Sequence, residues 1–323
     1  MTIPINERTP RNAMGLADSF VPSVTDQWLI ELPKFISSSP NSLRTIMEFS
    51  NRSISDRWLA GTALALINDP TIDPLNPKMI IIPKYDNVPI GLPNELIDAI
   101  TTEFNDLEIQ RNWIEKETPR HTRNINSFKI SKYLVTNKEY KMFLEQTHFA
   151  ELPSSWPLGF YPWQKSNHPV YGITPGAADA YCLWLSSITQ RKFRLAHEYE
   201  WEYAASGKNE NLYPWGNFFD KNKVNSIELK LYDSTPVGMF PSGNSEFGVS
   251  DMAGNIEEFV ANDYEPYPNG PIVNDDLKLN NSNYRIARGG SFTRFRDLTR
   301  NKRRHGYFPK EIYVMGFRLA EDL

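Results

Sequence analysis

Apolar residues recur at helical spacing along the first part of the chain. From about residue 26 to residue 68 the apolar positions largely follow the period of an amphipathic helix with one buried face. The last helix of this stretch is predicted over residues 56–67, because Ser55 and Asp56 can cap its start and Pro70 stops it. The pattern therefore predicts a small helical N-terminal region over residues 1–69.

A proline-rich stretch interrupts this pattern and is followed by strand-like runs. Pro70, Pro74 and Pro77 remove backbone donors within residues 70–78, which we interpret as a rigid linker. The run Met-Ile-Ile-Ile at 79–82 is typical of a buried strand. We therefore place a second domain over residues 79–323, with a further strand at 128–130 and a helix capped by Thr136 or Asn137.

Turn-forming residues dominate the chain beyond residue 152. Pro, Gly, Asn and Asp are scattered among aromatic residues, and clear helical patterns are confined to residues 176–186 and 198–205. Large aromatic side chains with a polar tip can fill a core while bonding to loop backbone. The sequence thus predicts an α+β fold held together by aromatic side chains and irregular loops.

Composition and charge remove several classes of protein. The chain has 323 residues, a formal net charge of −4 and a pI near 5.8, so it has no overall attraction for nucleic acid or anionic lipid. We find no signal peptide and no apolar run long enough to span a bilayer, and a cytoplasmic location is the default prediction. The single cysteine, Cys182, cannot form an internal disulfide and is predicted to be buried.

Several short motifs occur in the order typical of one protein family. They include Lys132-Tyr-x-Val-Thr-Asn-x-x-Tyr140, Phe193-Arg-Leu-Ala-x-Glu-x-Glu-Trp-Glu-Tyr-Ala-Ala205, Tyr213-Pro-Trp-Gly-Asn217, Phe247-Gly-Val-x-Asp-Met-Ala-Gly-Asn255, Arg285-Ile-Ala-Arg-Gly-Gly-Ser-Phe292 and Gly316-Phe-Arg-Leu319. Together they resemble the formylglycine-generating-enzyme or sulfatase-modifying-factor family. This resemblance implies a modified C-type-lectin-like α+β domain with little regular secondary structure.

The copper ligands of the family's catalytic members are not present at the matching positions of this chain. In catalytic members two thiolates, the ligands that Cu(I) prefers, follow the glycine pair, and the matching positions here are Arg294 and Thr299. Neither side chain replaces a thiolate, so we expect no copper held by cysteine and no formylglycine-generating activity. The iron site of the sulfoxide-synthase branch is also excluded, because residues 1–120 contain no histidine.

A dense basic run stands where the two cysteines would be. We predict a binding site for a peptide or small anionic ligand, formed by Arg288, Arg294, Arg296, Thr299, Arg300 and Arg304. The alternative is structural, since arginines in such loop-rich folds also bind buried carboxylates and backbone carbonyls. Both interpretations stay open on the sequence alone.

Two histidines are candidate catalytic residues. His197 stands where the family usually has a threonine that caps the next helix, so it can cap that helix or act as a neutral base. His305 follows Arg303 and Arg304, and the resemblance places the family's cleft over this segment. His121 and His168 are predicted to be structural, and His148 to lie on the surface.

The resemblance also implies structural calcium. The positions that match the family's calcium ligands are Asn225, Ser226, Asn255 and Ile256, which offer amide, hydroxyl and backbone oxygens suited to a hard cation. The usual Trp-Glu-Trp after Ile256 is replaced by Glu257-Glu258-Phe259, which is a departure from the family pattern.

The sequence leaves three functions open. The first is a module that binds a peptide or small anion in the family's cleft without oxidising it. The second is an oxidative tailoring enzyme similar to those of pyoverdine maturation, a metal-dependent oxidoreductase that works without the cysteine pair. The third is a component of a bacterial signalling or defence assembly, because such domains often follow helical repeats.

Overall fold

A computed structural model describes residues 4–323, and the early part of this range is helical. The helices are α1 (Pro10–Ala13), α2 (Val24–Trp28), α3 (Pro33–Ile36), α4 (Pro40–Glu48) and α5 (Ile54–Leu66). Helix α5 begins two residues before the predicted start because Ser53, rather than Ser55, is its N-cap. The Ser53 hydroxyl accepts a hydrogen bond from the Asp56 N–H at 3.0 Å, which satisfies one of the free amides of the first turn.

The helical region shares its core with a much later part of the chain. The buried cluster consists of Leu43, Met47, Ala60, Ala63, Leu64, Leu231, Met239 and Phe240. A polar contact reinforces it, since Arg57 Nη1 donates to the Met239 carbonyl at 2.6 Å. The predicted division at residues 70–78 stays a prediction, but the helices on its N-terminal side do not bury their apolar face alone.

Short strands and helices alternate through the rest of the chain. The strands are β1 (Met79–Ile82), β2 (Tyr85–Ile90), β3 (His121–Ile125), β4 (Phe128–Ser131), β5 (Phe193–Arg194), β6 (Glu257–Asp263), β7 (Arg285–Arg288), β8 (His305–Gly306), β9 (Met315–Phe317) and β10 (Ala320–Asp322). The helices are α6 (Ile97–Glu103), α7 (Arg111–Glu115), α8 (Asn137–Thr147), α9 (Pro175–Thr189), α10 (Glu198–Ser206) and α11 (Asp276–Asn280). Single 3-10 turns lie at Ile5–Glu7, Leu29–Glu31, Asn94–Leu96, Asn105–Leu107, Pro157–Gly159, Trp163–Lys165, Lys221–Lys223, Ile227–Leu229 and Pro241–Gly243.

The strands form small sheets whose order departs from chain order. One sheet has the order β1-β4-β10-β5, another pairs β2 with β3, and a third has the order β8-β7-β6-β9. Strands β6 and β9 run parallel, and the other pairs are antiparallel. This third sheet brings four segments between residues 257 and 317 side by side, and it supports the candidate site described below.

Local sequence signals explain where the longer helices begin. Helix α8 starts with a capping box, in which the Thr136 backbone N–H donates to Glu139 Oε2 at 2.7 Å and the Thr136 hydroxyl faces the Glu139 N–H. Of the two caps predicted from the sequence, Thr136 is therefore the one used. Helix α9 begins after a Thr174 cap with proline at its first position.

Aromatic side chains fill much of the main core, as the sequence predicts. The Tyr181 ring lies between 5.2 and 6.1 Å, centroid to centroid, from the rings of Tyr140, Phe143, Trp184 and Phe317. Edge-on and offset arrangements of this kind add about 1 kcal/mol per pair beyond the area that they bury. The predicted α+β class with little regular secondary structure is confirmed.

A glycine pair turns the chain directly after β7. Gly289 and Gly290 have φ values of 95° and 69°, in the left-handed region that side chains with a Cβ rarely adopt. A Cβ on Gly290 would lie 2.9 Å from the backbone of Leu298, so the following loop folds tightly back on this turn. No helix among residues 4–323 is long and apolar enough to cross a membrane.

Candidate functional site

A cleft lies beside the loop that follows this turn. Its free space is about 630 Å³ with the open mouth included. The chain segments around it supply Lys116 after α7, Asp275 and Asp276 at the start of α11, Thr293 and Arg294 after β7, His305 of β8 and Tyr313 before β9. The cleft is thus built from charged, aromatic and aliphatic residues far apart in the sequence.

Arg294 is the most unusual side chain in this cleft. It is only 5% exposed, yet its Nε and Nη2 atoms are buried without a hydrogen-bond partner. Its Nε lies 3.6 Å from Oε1 of Glu257, beyond the length of a normal hydrogen bond, and its guanidinium carbon lies 4.2 Å from the Tyr313 ring centroid. Buried donors without an acceptor destabilise a fold, so these atoms call for an acceptor from outside the protein.

His305 and Glu257 form a hydrogen-bonded pair next to Arg294. Their Nδ1 and Oε2 atoms are 2.6 Å apart, and the imidazole stacks on the Tyr313 ring at 5.2 Å. Burial lowers the pKa of His305, although the carboxylate of Glu257 acts in the opposite direction. The imidazole is therefore neutral at neutral pH and can hold or accept a proton.

Glu257 is a site residue that the sequence reasoning did not identify. It lies in β6, it is fully buried, and its Oε1 atom has no hydrogen-bond partner. The available signal was the departure from the family's Trp-Glu-Trp pattern, which puts a carboxylate where a large apolar ring is usual. The same substitution creates the contact with both Arg294 and His305.

A buried ion pair closes another side of the cleft. Lys116 Nζ donates to Asp275 Oδ2, and both side chains are almost fully buried. Burial lowers the pKa of Lys116 to about 8, and the carboxylate of Asp275 offsets part of this effect. Asp275 also caps α11 by accepting from the Lys278 N–H at 3.1 Å, so the pair fixes the helix at the wall of the cleft.

The other buried arginines of the basic run have internal partners. Arg288 and Arg304 both bind Glu198 of α10, and Arg288 also binds Glu202. Arg300 makes two bonds of 2.7 and 2.8 Å to the Glu117 carboxylate. These three arginines do not line the cleft, and apart from Arg288 Nε their guanidinium groups bond to carboxylates and backbone carbonyls. The structural alternative therefore describes them better than ligand binding does.

The remaining predicted ligand residues lie outside the cleft as well. Arg296 is partly exposed and bonds through Nη2 to both carboxylate oxygens of Asp106 at 2.7 Å. The Thr299 hydroxyl donates to the Arg296 carbonyl at 2.8 Å. Of the predicted ligand-binding set, Arg294 alone lines the cleft among the residues from 4 onwards.

His197 lies outside the cleft and has different neighbours from His305. It is the residue directly before α10, and its backbone N–H donates to Glu200 Oε2 at 2.8 Å. Its ring stacks on Tyr199 at 5.3 Å, and its Nδ1 is buried without a hydrogen-bond partner. The structure places His197 at the N-cap position and does not bring it into the cleft with His305.

The predicted calcium ligands hold two loops together through their amide groups. Asn255 Oδ1 accepts from the Thr235 N–H at 2.9 Å, and the Asn225 amide donates to the Asp233 carbonyl at 2.8 Å. The Ser226 hydroxyl donates to Glu228. Asn225 Oδ1 is buried without a partner, but calcium needs roughly six to eight oxygens. Calcium at Asn225, Ser226, Asn255 and Ile256 therefore stays a prediction.

The described part of the chain has no cluster of side chains that would hold a metal ion. Residues 4–323 contain no group of three or more His, Cys, Asp or Glu side chains arranged to hold a metal ion. Cys182 is buried, and burial raises the pKa of its thiol. With Arg294 and Thr299 at the thiolate positions, the residues present do not fit Cu(I).

A wider groove adjoins the cleft. It has about 1820 Å³ of free space with its open side included, and Thr293 and Tyr313 line both the groove and the cleft. Its walls carry rings and hydroxyl groups, among them Tyr171, Tyr307 and Phe292. An extended molecule in this groove would therefore pass directly by the mouth of the cleft.

Comparison with known proteins gives a consistent family context. The model of a family described as the sulfatase-modifying factor enzyme 1-like domain matches residues 95–323. The chain is 34% identical over 227 residues to the serine/threonine-protein kinase Pkn1 of Chlamydia trachomatis, covering 64% of this chain and 35% of that protein. It is 25% identical to the hercynine oxygenase of Mycolicibacterium thermoresistibile, covering 65% of this chain and 54% of that protein. It is 31% identical to the inactive C-alpha-formylglycine-generating enzyme 2 of Mus musculus, covering 49% and 51%.

Solved structures agree on the fold. PvdO from Pseudomonas aeruginosa superposes with a TM-score of 0.59 at 22% identity, over 77% of this chain and 95% of that chain. Treponema denticola variable protein 1 gives a TM-score of 0.55 at 18% identity, over 76% and 95%. This chain spans between about a third and about half of the length of the three curated relatives.

Proposed function

Since this chain belongs to the family of the sulfatase-modifying factor enzyme 1-like domain, we propose that it uses the family's fold to bind a peptide or small anionic ligand in the cleft at Arg294. The ligand presents a carboxylate or carbonyl oxygen to the guanidinium group. No oxidation of the ligand by copper is part of this proposal, because the cleft offers a guanidinium where a thiolate would be needed.

The observation that carries the proposal is the pair of unpartnered donors on Arg294. Its Nε and Nη2 atoms are buried and lack an acceptor within the protein, while the side chain lines an open cleft. The fork of a guanidinium matches the two oxygens of a carboxylate, and such charge-assisted bonds are stronger than neutral ones. A bound carboxylate would satisfy both atoms at once.

The charge balance of the cleft narrows the class of ligand. Its lining combines the cations Lys116, Arg294 and Arg303 with the anions Asp275, Asp276 and Asp297. Because these formal charges cancel, the cleft does not attract a polyanion as a whole. It favours a single carboxylate or a peptide carbonyl, held by directed hydrogen bonds, over a phosphate-rich molecule.

A thermal-shift titration tests this proposal. The purified chain is melted with succinate, with inorganic phosphate and with a short acidic peptide, because a ligand of the folded state raises the melting temperature. Succinate or the acidic peptide should raise it in the wild type but not in Arg294→Gln. The control variant is Arg120→Gln, whose side chain pairs with Glu210 at the surface and should leave the shift unchanged. Equal shifts in all three proteins would refute the site.

A second function is favoured by a different observation, the His305–Glu257 pair. A neutral imidazole oriented by a carboxylate is suited to accept a proton, and it faces the same cleft as Arg294. The relatives named hercynine oxygenase support an oxidative tailoring role. Such a role needs a bound redox-active metal, so stoichiometric metal in the purified chain, lost in His305→Gln, would favour the enzyme. Metal-free protein that still binds succinate would favour the binding module.

A further inference from the structure

A short N-terminal strap, defined as residues 4–15, lies across the mouth of the cleft. Ile5 and Ala13 of the strap line the cleft itself, and Pro10 and Met14 line the adjoining groove. Ala13 is buried in the main core, whereas most of the other strap residues are exposed or half-buried. The strap therefore covers the site with little buried surface of its own.

Asn6 is the polar anchor of the strap. Its Nδ2 donates to Asp276 Oδ2, and its Oδ1 accepts from the Tyr313 hydroxyl at 2.7 Å. The orientation of the amide follows from this pairing, because a carboxylate can only accept a hydrogen bond. Tyr313 is the same residue that stacks on His305 and lies under Arg294, so the anchor sits at the entrance to the proposed binding site.

A third contact is a hydrogen bond to the backbone of the strap. Lys310 Nζ donates to the carbonyl oxygen of Arg8 at 2.9 Å, two residues after the anchor. Asp276, Tyr313 and Lys310 thus provide one acceptor and two donors for a peptide that carries a carboxamide side chain. An aspartate at the anchor position would place its carboxylate against Asp276, and an alanine would leave both partners without a bond.

We propose that Asp276, Tyr313 and Lys310 form a peptide-binding subsite selective for a carboxamide side chain, and that the strap occupies this subsite within its own chain. The proposal deepens the proposed function and rests on it in one respect, namely that a peptide seated here continues into the cleft at Arg294. In the resting chain the strap is a built-in competitor, since a tethered segment acts at a high effective concentration. A carboxamide-bearing peptide enters when the strap leaves.

The low local stability of the strap makes this exchange feasible. Its only α-helix, α1, has four residues, far too few to be stable without tertiary contacts. Segments with few buried contacts open locally at a small free-energy cost, well below that of global unfolding. The strap is held by the Asn6 and Lys310 hydrogen bonds, by the ion pair of Arg8 with Glu108, and by the packing of Ile5, Ala13 and Met14 in the main core.

The test uses the full chain and a fluorescent, N-acetylated peptide with the sequence of residues 4–15 as the probe. In Asn6→Ala the tethered strap is a weaker competitor, and the added peptide should bind roughly tenfold more tightly than it binds the wild type. The control is Asn12→Ala, because the Asn12 side chain is exposed and its position lies on the same strap. Asn12→Ala should bind the probe as the wild type does.

Two further measurements make the outcome decisive. A probe in which the residue equivalent to Asn6 is aspartate should fail to bind Asn6→Ala, and amide hydrogen exchange of residues 5–14 should be faster in Asn6→Ala than in Asn12→Ala. Equal probe affinity in Asn6→Ala and the wild type, equal binding of the aspartate probe, or unchanged exchange would each overturn the proposal. The aspartate probe is the reading that separates a specific subsite from general loosening of the strap.

The same proteins distinguish this proposal from the proposed function. Succinate binding reports on Arg294 and is lost in Arg294→Gln. Binding of the peptide probe reports on the carboxamide subsite and is lost in Tyr313→Phe. Probe binding without any succinate effect would uphold the peptide subsite and reject the anion site. Succinate binding without any difference between the Asn6 and Asn12 variants would do the reverse.

Discussion

Glu257 Oε2 lies 2.6 Å from Nδ1 of His305, and the other oxygen of the same carboxylate lies 3.6 Å from Nε of Arg294. The buried Glu257 side chain thus orients the imidazole of His305 and partly compensates the positive charge of the Arg294 guanidinium. The contact to Arg294 is too long for a hydrogen bond, so the carboxylate offsets charge without using the donors. The two buried donors of Arg294 therefore stay free for the ligand that we propose.

Removing the charge of Glu257 should strengthen ligand binding and weaken the fold. In Glu257→Gln the guanidinium of Arg294 loses the carboxylate that lies 3.6 Å from its Nε, so succinate should bind roughly tenfold more tightly by isothermal titration calorimetry. The uncompensated buried cation should cost about 3 kcal/mol of unfolding free energy in urea. The matched control is Glu210→Gln, whose surface pair with Arg120 contributes little. Unchanged or weaker succinate binding in Glu257→Gln would contradict this account of the cleft.

The arginines inside the fold should behave differently from Arg294. Arg300→Met leaves the buried Glu117 carboxylate without its two hydrogen bonds, and we expect a loss of about 3–5 kcal/mol in unfolding free energy. Arg296→Gln breaks a partly exposed pair with Asp106 and should cost less than about 1 kcal/mol. Chemical denaturation of both variants measures the difference. Similar losses of unfolding free energy in Arg300→Met and Arg296→Gln would mean that the buried arginine–carboxylate pairs do not stabilise the fold.

Acid should destabilise the protein through His168. Burial lowers the pKa of His168 to about 3, and its Nδ1 lies 2.9 Å from the Ser234 hydroxyl. The folded pKa is below the unfolded value of about 6.5, so the unfolded state takes up the proton first and stability falls as the pH falls. Between pH 7 and pH 5 this residue should account for a loss of about 2 kcal/mol.

His168→Gln and His148→Gln together test the acid effect. Glutamine can still bond to Ser234 but does not titrate, so His168→Gln should lose about 2 kcal/mol less than the wild type between pH 7 and pH 5. His148 is exposed at the end of α8, and its replacement should leave the pH profile unchanged. Unfolding in urea at both pH values gives the comparison. Parallel profiles for all three proteins would show that His168 is not the sensor.

The glycine pair should be required for the geometry of the cleft. In Gly290→Ala a Cβ meets the Leu298 backbone at 2.9 Å, and the residue keeps a φ of 69° that alanine disfavours. Strain of this kind costs about 1–3 kcal/mol and should lower the melting temperature. Gly176→Ala is the control, since a Cβ there meets nothing closer than 3.7 Å in the first turn of α9. An equal effect of both changes would argue against a strained turn.

Local signals in the sequence predicted several of the elements but were too weak to predict the site. The apolar run at 79–82 is β1, although only Ile82 of this predicted buried strand is buried, because β1 is an edge strand. Thr136 caps α8 as one of the two predicted caps. The start of α5 was misplaced because serines at 53 and 55 are both good caps, and only the three-dimensional turn selects Ser53. Short-range physics decides these features, so a sequence can predict them.

The partners of the charged residues are set by long-range packing. Arg300 bonds to Glu117, which lies 183 residues away, and no spacing rule connects the two. For the same reason the sequence predicted a basic ligand site of several arginines, whereas Arg294 alone of that set lines the cleft among the residues that the structure describes. Glu257 was visible as an exception to a motif, but its role depends on which side chains the third sheet places beside it.

The shared packing of α4 and α5 has a practical consequence for anyone preparing shorter versions of this protein. A fragment that starts at β1, or at residue 95 where the family match begins, would expose the apolar side chains of Leu231, Met239 and Phe240 to water. Such a fragment should aggregate during expression. Recombinant work is better served by keeping the first helices in place, even when only the later half is of interest.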